Sequence, residues 1–259
     1  MTEVSGSIRR VAVVSGGAGD IGRAICSALA AQGTAVALSD SRPPHDEQAL
    51  VAELGAVRFD LLDVRDRNAV DEWLDDVACD LGTPTIVVPC AALAREADLY
   101  ALDAPIWDDE LAVTLTGSFH VAHAAALRML AAAERGRIVL IGSWVAHAPH
   151  PQITAYCVAK AGLRMLARCL AVQLAPHGIL VNEVAPGYVD AGVSAAFWDA
   201  HPGSRELAVA RVPIGRLMGA AEVARLVAFL CGPDAGHMAG SVLLADGGLS
   251  LGATWSGES

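Results

Sequence analysis

Short runs of apolar residues alternate along the chain with longer stretches in which apolar residues recur every three to four positions. The short runs predict strands at 10–15, 35–39, 56–59, 84–88, 136–141, 180–184 and 241–245. The longer stretches predict helices at 20–32, 47–54, 67–81, 107–133, 152–175 and 221–230. Residues 188–215 are richer in turn-forming residues and predict an irregular excursion with one short helix.

Strands that are separated by helical crossovers predict an α/β fold, here a doubly wound parallel sheet of about seven strands with helices on both faces. In such sheets, ligands bind at the carboxyl ends of the strands. The chain of 259 residues has no visible internal repeat or low-complexity linker. We therefore interpret residues 1–259 as a single domain.

Composition narrows the classes of function. Hydrophobic residues make up 54% of the chain and charged residues 18%, enough apolar material to cover both faces of a sheet. A net charge of −11 without a Lys/Arg cluster argues against nucleic-acid binding. The longest uncharged run, 138–159, contains two prolines and two histidines and predicts no membrane span. A cytoplasmic chain with reduced thiols is expected, because residues 1–10 lack an apolar signal core and the six cysteines lack short paired spacings.

A glycine-rich turn with Gly16, Gly19 and Gly22 follows the first predicted strand. Glycines there let the backbone approach a pyrophosphate, and the N–H groups of the next helix supply donors. Asp40 ends the second strand 18 residues after Gly22, where a carboxylate can bind an adenosine ribose and repel a 2′-phosphate. The pattern favours NAD over NADP, although Arg42 offers a partner for a phosphate. A simple turn acid before two prolines is the alternative for Asp40.

Three side chains able to handle a proton lie within one short stretch. Tyr156 and Lys160 are four residues apart and share a helix face, and Ser143 lies 13 residues upstream of Tyr156. A nearby cation favours a phenolate and moves its pKa toward neutral pH, while a Ser hydroxyl can hydrogen-bond a reacting oxygen. Without a cofactor site, a surface Tyr and Lys pair is the simpler interpretation.

These three residues, together with the glycine-rich turn, resemble the short-chain dehydrogenase/reductase family in its single-domain form. The resemblance covers residues 11–251. Four further segments match family landmarks: Asp63-Val64, Ala185-Pro186-Gly187-Tyr188-Val189, Pro213-Ile214-Gly215-Arg216 and Ala245-Asp246-Gly247-Gly248.

The resemblance implies a Rossmann-like fold and a nicotinamide cofactor. It implies that Tyr156 is the general acid/base, that Lys160 lowers the Tyr156 pKa and binds the nicotinamide ribose, and that Ser143 orients the reacting oxygen. Residues expected to bind the cofactor are Gly16, Gly19, Asp20, Ile21, Gly22, Asp40, Asp63, Val64, Cys90, Ala91, Tyr156, Lys160, Pro186, Gly187 and Val189.

The chain departs from the family pattern in four places. Asp20 replaces a glycine of the turn and is expected to point away from the pyrophosphate, capping the helix. Pro89-Cys90 replaces two asparagines. Thr114 stands where the family commonly has an Asn of the proton relay, and its hydroxyl could bind a water in that role. Ala191 replaces a Thr after the nicotinamide loop.

The predicted function is an NAD-dependent oxidoreductase that interconverts a secondary alcohol and a ketone, with a sugar, polyol or cyclic alcohol as substrate. Candidate substrate contacts are Ser143, Trp144, His150, Tyr156 and Tyr188, and the resemblance places a substrate lid at 188–215. It also suggests a homotetramer packed through the helices at 107–133 and 152–175. No metal is expected, because His120 and His123 are three apart without an acidic or Cys partner nearby in sequence.

Three alternatives stay open. One is a catalytically impaired NAD-binding regulatory protein on the same fold, suggested by Thr114 and the Pro89-Cys90 change. The second is a structural or assembly subunit, and the third is a 3-oxoacyl-type reductase that uses NADP.

Overall fold

The computed structural model describes residues 10–252 of the chain. Within this range seven strands form one sheet, in which every neighbouring pair is parallel. The strands are β1 (Val11–Ser15), β2 (Ala35–Asp40), β3 (Arg58–Leu61), β4 (Ile86–Pro89), β5 (Gly136–Ile141), β6 (Ile179–Pro186) and β7 (Val242–Ala245). Their order, β3-β2-β1-β4-β5-β6-β7, confirms the predicted doubly wound sheet.

Helices form the crossovers between these strands. They are α1 (Asp20–Ala31), α2 (Glu47–Leu54), α3 (Arg67–Leu81), α4 (Ala104–Leu111), α5 (Ser118–Ala131), α6 (Thr154–Leu174), α7 (Gly192–Ala200), α8 (Ser204–Arg211) and α9 (Ala220–Cys231). No helix between residues 10 and 252 is both long enough and apolar enough to span a bilayer.

Both faces of the sheet are buried under helices. Along β1, Val11 and Val13 belong to an apolar cluster with α3, α5 and α6, whereas Ala12 and Val14 belong to a second cluster with α1, α2 and α9. Successive strand residues point to opposite faces, so a strand covered on both sides is apolar throughout. This explains why inner strands such as β1 and β4 are continuous apolar runs in the sequence rather than alternating apolar and polar residues.

The predicted third strand, 56–59, lies too early in the chain. Gly55 ends α2 with a φ of +63°, and the Ala56 N–H donates to the Val51 carbonyl at 3.0 Å. This closing turn occupies the residues before Arg58, so β3 begins there and continues to Leu61.

Two helical predictions also need correction. The stretch 107–133 is not one regular helix: α4 begins at Ala104 behind the Asp103 cap, and residues Ala112–Gly117 form a π-helical segment before α5. The excursion at 188–215 contains two helices, α7 and α8, rather than one. Apolar periodicity does not distinguish a π-helix from an α-helix here, because the π-helical segment is only six residues long.

The crevice for a ligand arises where the direction of strand order reverses. Chain connections from β1 run toward β2 and β3, whereas β4 lies on the other side of β1 and leads toward β5. The loops after β1 and β4 therefore separate and leave a crevice at the carboxyl ends of the strands.

Candidate active site

Two glycines shape the turn after β1. Gly16 has a φ of +69°, and a Cβ there would lie 2.6 Å from the Ala91 backbone nitrogen. A Cβ on Gly22 would lie 2.1 Å from the Gly16 carbonyl oxygen. Side chains at either position would push this turn away from the residues that follow β4 or away from the start of α1.

The start of α1 is free of a side-chain cap. Its N-cap residue is Gly19, and no side chain hydrogen-bonds the first turn. The backbone N–H groups of Asp20, Ile21 and Gly22 have no partners within the helix, since intrahelical bonding begins with Arg23 donating to Gly19 at 2.8 Å. A tight glycine turn that ends in unpaired N–H groups fits the pyrophosphate of a dinucleotide.

Asp20 does not cap α1, contrary to the expectation from sequence. It is the first helical residue rather than the N-cap, and its carboxylate accepts a hydrogen bond from the Gly192 N–H at 2.7 Å. Gly192 begins α7, whose own N-cap, Ala191, supplies no side-chain bond. The acid therefore joins the glycine-rich turn to the first helix of the 188–215 segment.

We expect Asp20→Asn to bind a nicotinamide dinucleotide about three- to tenfold more tightly than the unmodified protein. Asn keeps an acceptor for the Gly192 N–H, but it removes a negative charge beside the site proposed for the pyrophosphate, a repulsion of about 1 kcal/mol. Isothermal titration calorimetry measures the change. Asp98→Asn, on an exposed turn, is the control, and a dissociation constant that stays equal or rises would contradict the repulsion.

Asp40 lies at the end of β2, beside the glycine-rich turn. The Gly17 N–H donates to the Ser39 carbonyl at 2.9 Å, which holds the two segments together. The Asp40 carboxylate accepts only a long 3.4 Å bond from the Arg42 N–H, and the Arg42 side chain is exposed. A carboxylate and a guanidinium are thus both available where an adenosine ribose is expected.

Other residues expected at the cofactor are largely engaged within the protein. The Arg65 guanidinium bonds the Asp63 carboxylate at 2.9 and 3.0 Å and holds the pKa of that carboxyl below its usual range. Val64 is buried, and its carbonyl lies 2.9 Å from His120 Nδ1. The side chains of Asp63 and Val64 are therefore occupied by contacts within the protein. An adenine would contact mainly the backbone of these two residues.

The segments after β4 and β6 line the crevice. The Cys90 N–H donates to the Ser15 carbonyl at 3.0 Å, so Cys90 and Ala91 run alongside the glycine-rich turn. Pro186 ends β6, and a Cβ on the following Gly187 would lie 2.7 Å from Asp246 Cα. Val189 is buried and pairs with Met218 in an isolated parallel bridge.

Ser143, Tyr156 and Lys160 lie together at the carboxyl end of β5. Ser143 follows that strand, and the other two lie one turn apart on α6. The Ser143 hydroxyl lies near the Tyr156 phenol, close enough to favour its ionised form. Lys160 Nζ lies 5.3 Å from the centre of the Tyr156 ring and donates to the Ile141 carbonyl at 2.6 Å. The structure thus brings the three proton-handling residues into one cluster.

Burial dominates the proton affinities in this cluster. It raises the pKa of Tyr156 well above its usual range; the Cys90 thiol adds to the rise and the nearby Ser143 hydroxyl opposes it. Burial also lowers the pKa of Lys160 from 10.5 to about 8, against the opposing effects of Cys90 and Glu183. In the protein alone, burial therefore favours the protonated phenol.

Thr114 lies in the π-helical segment and is fully buried. Its hydroxyl accepts from the Leu93 N–H at 3.0 Å and donates to the Leu93 carbonyl at 3.2 Å. One turn earlier, the buried Glu110 accepts from the Arg95 N–H. Both side chains therefore anchor the loop after β4.

An aromatic cluster borders the three proton-handling residues. The rings of Trp144 and Tyr188 meet edge to face with centroids 5.4 Å apart, and those of Trp144 and His150 meet at 6.3 Å. Burial lowers the pKa of His150, so this ring stays neutral to lower pH than a free histidine. The predicted substrate contacts thus form a largely apolar wall.

Three buried charged residues near this site were absent from the sequence prediction: Glu110, Arg164 and Glu183. A signal for two of them exists in the chain. Glu183 is a carboxylate inside an apolar strand, and Arg164 follows Lys160 by one helical turn on the same face. A charge in a strand covered on both faces predicts a buried partner.

Lys160 is also the only lysine in the chain, in which every other basic residue except histidine is arginine. Arginine stays charged in proteins, whereas a buried lysine can shift its pKa toward neutrality. The single lysine thus lies in the cluster with Ser143 and Tyr156, where burial lowers its pKa to about 8.

The two histidines of α5 contact separate groups. His120 Nδ1 lies 2.9 Å from the Val64 carbonyl, and His123 Nδ1 lies 3.3 Å from the Arg67 guanidinium. Over residues 10–252, no group of three or more His, Cys, Asp or Glu side chains is placed to hold a metal ion.

Comparison with known proteins gives matches along nearly the whole chain. A family model described as enoyl-(acyl carrier protein) reductase matches residues 16–250. The 3-oxoacyl-(acyl-carrier-protein) reductase of Haemophilus influenzae is 34% identical over 243 residues, which cover 93% of this chain and 98% of that protein. The cis-4-hydroxycyclohexanecarboxylate dehydrogenase of Sinomonas cyclohexanicum is 36% identical over 243 residues, covering 92% and 96%.

A solved structure shares the fold. It is a putative 2-deoxy-D-gluconate 3-dehydrogenase from Agrobacterium tumefaciens with bound NADP. It superposes with a TM-score of 0.84 at 28% identity and covers 95% of this chain and 99% of that one.

Proposed function

Because the chain belongs to the short-chain dehydrogenase/reductase family, we propose that it is an NAD-dependent oxidoreductase that interconverts a secondary alcohol and a ketone. The observation that carries this proposal is the cluster of Ser143, Tyr156 and Lys160 beside the glycine-rich turn. A protein that only bound the dinucleotide would have no use for a buried phenol placed beside a serine hydroxyl and a buried lysine.

In the proposed reaction Tyr156 exchanges a proton with the substrate oxygen, and Ser143 hydrogen-bonds that oxygen. Lys160, fixed by the Ile141 carbonyl, provides the adjacent cation and a donor for the nicotinamide ribose. The bound nicotinamide supplies the hydride chemistry, and in its oxidised form it brings a positive charge. The residues proposed to hold the dinucleotide are Gly16, Gly19, Asp20, Ile21, Gly22, Asp40, Asp63, Val64, Cys90, Ala91, Pro186, Gly187 and Val189.

The raised pKa of Tyr156 determines how the rate of the proposed reaction should depend on pH. A protonated phenol is already the acid that carbonyl reduction needs. Alcohol oxidation needs the phenolate, so the rate of oxidation should rise with pH, whereas the rate of reduction should fall only when the phenol ionises.

The direct test is to mix the purified protein with NAD or NADP and a panel of cyclic alcohols, sugars, polyols and 3-hydroxyacyl compounds. Reduced nicotinamide is followed by its absorbance. Turnover that depends on Tyr156 supports the proposed function. Dinucleotide binding without turnover on any substrate would instead favour the regulatory protein suggested by Thr114 and Pro89-Cys90.

We propose NAD as the cofactor because Asp40 lies where the adenosine ribose is expected. NADP is the second candidate because Arg42 is exposed nearby and a related structure binds NADP.

Asp40→Ala should lower the ratio of kcat/KM for NAD over NADP at least about tenfold, since the repulsion of a 2′-phosphate is lost. Glu47→Ala removes an exposed carboxylate from the same region and should leave the ratio within about twofold. An unchanged ratio in Asp40→Ala would refute this role for Asp40.

For the substrate we propose a cyclic secondary alcohol or its ketone. The edge-to-face rings of Trp144, Tyr188 and His150 offer flat apolar surfaces that suit a ring, and one relative is a dehydrogenase of a hydroxycyclohexane carboxylate. A 3-oxoacyl compound is the second candidate, favoured by the family model and by the relative from Haemophilus influenzae. The same panel separates them by kcat/KM.

We further propose that the chain is one domain that assembles as a homo-oligomer, with residues 188–215 as its substrate lid. Val158, Met165 and Val172 are at least 42% exposed and recur at intervals of seven along α6, and Leu127 on α5 is 49% exposed. An apolar stripe of this kind suits packing of helices between subunits. Light scattering coupled to size-exclusion chromatography tests the assembly.

A further inference from the structure

Behind Ser143 lies a buried ion pair that joins α6 to β6. Arg164 Nε donates to Glu183 Oε2 at 3.0 Å, and Arg164 Nη2 donates to Glu183 Oε1 at 2.9 Å. The Arg164 side chain is 10% exposed and that of Glu183 is 0% exposed. Taking both charges out of water is expensive, and replacing such a pair with apolar residues is often neutral for stability. Stability alone therefore gives little reason for this pair.

The pair also touches the backbone that carries Ser143. Arg164 Nη2 makes a second, longer bond to the Ser143 carbonyl at 3.4 Å. Glu183 lies against the preceding residue, because a Cβ on Gly142 would lie 1.9 Å from Glu183 Oε1. The carboxylate thus occupies the space that any other residue at position 142 would fill.

Two cations of α6, one helical turn apart, bind alternate carbonyls of the same segment. Lys160 donates to the Ile141 carbonyl at 2.6 Å, and Arg164 donates to the Ser143 carbonyl. The Ser143 carbonyl also begins the short turn after β5, since the Ala146 N–H donates to it at 3.1 Å. When this carbonyl is held in place, the backbone of Ser143 rotates less, and the direction of its hydroxyl is restricted.

We propose that Arg164 and Glu183 are positioning residues that hold the Ser143 segment so that its hydroxyl faces Tyr156. Glu183 orients the Arg164 guanidinium through both of its donors, and Arg164 fixes the Ser143 carbonyl. Neither residue touches the reacting atoms. This inference rests on the proposed function, because the pair acts through residues proposed to carry the reaction.

The test separates positioning from stability with a double replacement, Arg164→Met together with Glu183→Leu. Single replacements leave one buried charge unpaired and should lower the melting temperature. The double variant leaves neither charge and should regain most of the melting temperature, while kcat stays about ten- to 100-fold below that of the unmodified protein. The dissociation constant for the dinucleotide should stay within about twofold.

Arg164→Lys refines the result. Lysine keeps a positive charge beside Glu183, but it lacks the planar fork that bonds both carboxylate oxygens and the Ser143 carbonyl. Its kcat should fall with little change in melting temperature. The matched control is the partly buried pair of Arg128 and Asp71, whose double variant Arg128→Met with Asp71→Leu should keep kcat within about twofold.

Hydrogen–deuterium exchange decides the inference even if no substrate is found. In the double variant, the amides of residues 143–147 should exchange faster, and in the Arg128 and Asp71 control they should not. Full kcat together with unchanged exchange in the double variant would overturn the inference. Failure of the proposed function has a different signature, which is no turnover by the unmodified protein on any substrate.

Discussion

Tyr156→Phe should lower kcat about 1,000-fold while the protein binds its dinucleotide as before. The substitution removes only the phenol oxygen, which is the group placed to exchange a proton and lies near the Ser143 hydroxyl. General acid–base catalysis by one side chain contributes about 100- to 10,000-fold to a rate. Initial rates with the best substrate of the panel give kcat, and calorimetry gives the dissociation constant of the dinucleotide.

The chain provides two matched controls for this substitution, because it contains only three tyrosines. Tyr100 is 95% exposed, and Tyr100→Phe should leave kcat unchanged. Tyr188 contacts Trp144 in the aromatic cluster, and Tyr188→Phe should alter KM more than kcat. If Tyr156→Phe retained more than about a tenth of the turnover, another group would have to be the acid, and the proposed roles would be wrong.

Lys160→Met should lower kcat at least about 100-fold and yet raise the melting temperature near pH 7. Burial lowers the pKa of this amine from 10.5 to about 8, so the folded protein bears a cost of about 3 kcal/mol when the amine is charged. Methionine removes that cost and loses one hydrogen bond to the Ile141 carbonyl, worth about 1–2 kcal/mol. The net gain of about 1–2 kcal/mol corresponds to a rise of about 2–6 °C.

The gain should depend on pH with a definite sign. Below pH 8 the amine is charged in both the folded and the unfolded chain, and the cost of its burial is complete. Between pH 8 and 10.5 the unfolded chain binds more protons than the folded one, so the stability of the unmodified protein rises with pH. The advantage of Lys160→Met should therefore shrink over this window. Lys160→Arg, which keeps a charge at every pH, should show no stabilisation.

The pKa itself can be measured directly. Because Lys160 is the only lysine, isotope labelling of lysine yields one side-chain signal, which can be titrated by NMR. In the protein without cofactor it should titrate near pH 8. A titration near 10.5, or a lower melting temperature for Lys160→Met at pH 7, would contradict this account of the buried amine.

Much of the fold was predictable because it depends on local patterns. The helices at 47–54 and 67–81 and the strand at 136–141 match the structure at both ends. Both helices have clear boundaries, which are the Asp46 and Asp66 caps and the Gly55 and Gly82 ends. The predicted strand at 56–59 was displaced because α2 uses the residues after Gly55 to complete its last turn.

The sequence by itself determined the parallel sheet, because strands alternate with helical crossovers along the chain. It also determined the glycine-rich turn and the shared face of Tyr156 and Lys160, because these follow from spacing within a short stretch. Only the tertiary structure decided the partners of the charged side chains. Asp20 bonds α7, and Arg164 bonds Glu183 and Ser143. The same holds for the pKa of Lys160, since burial depends on every element packed around an amine. Spacing along the chain places a side chain on a face, but distant segments set its environment.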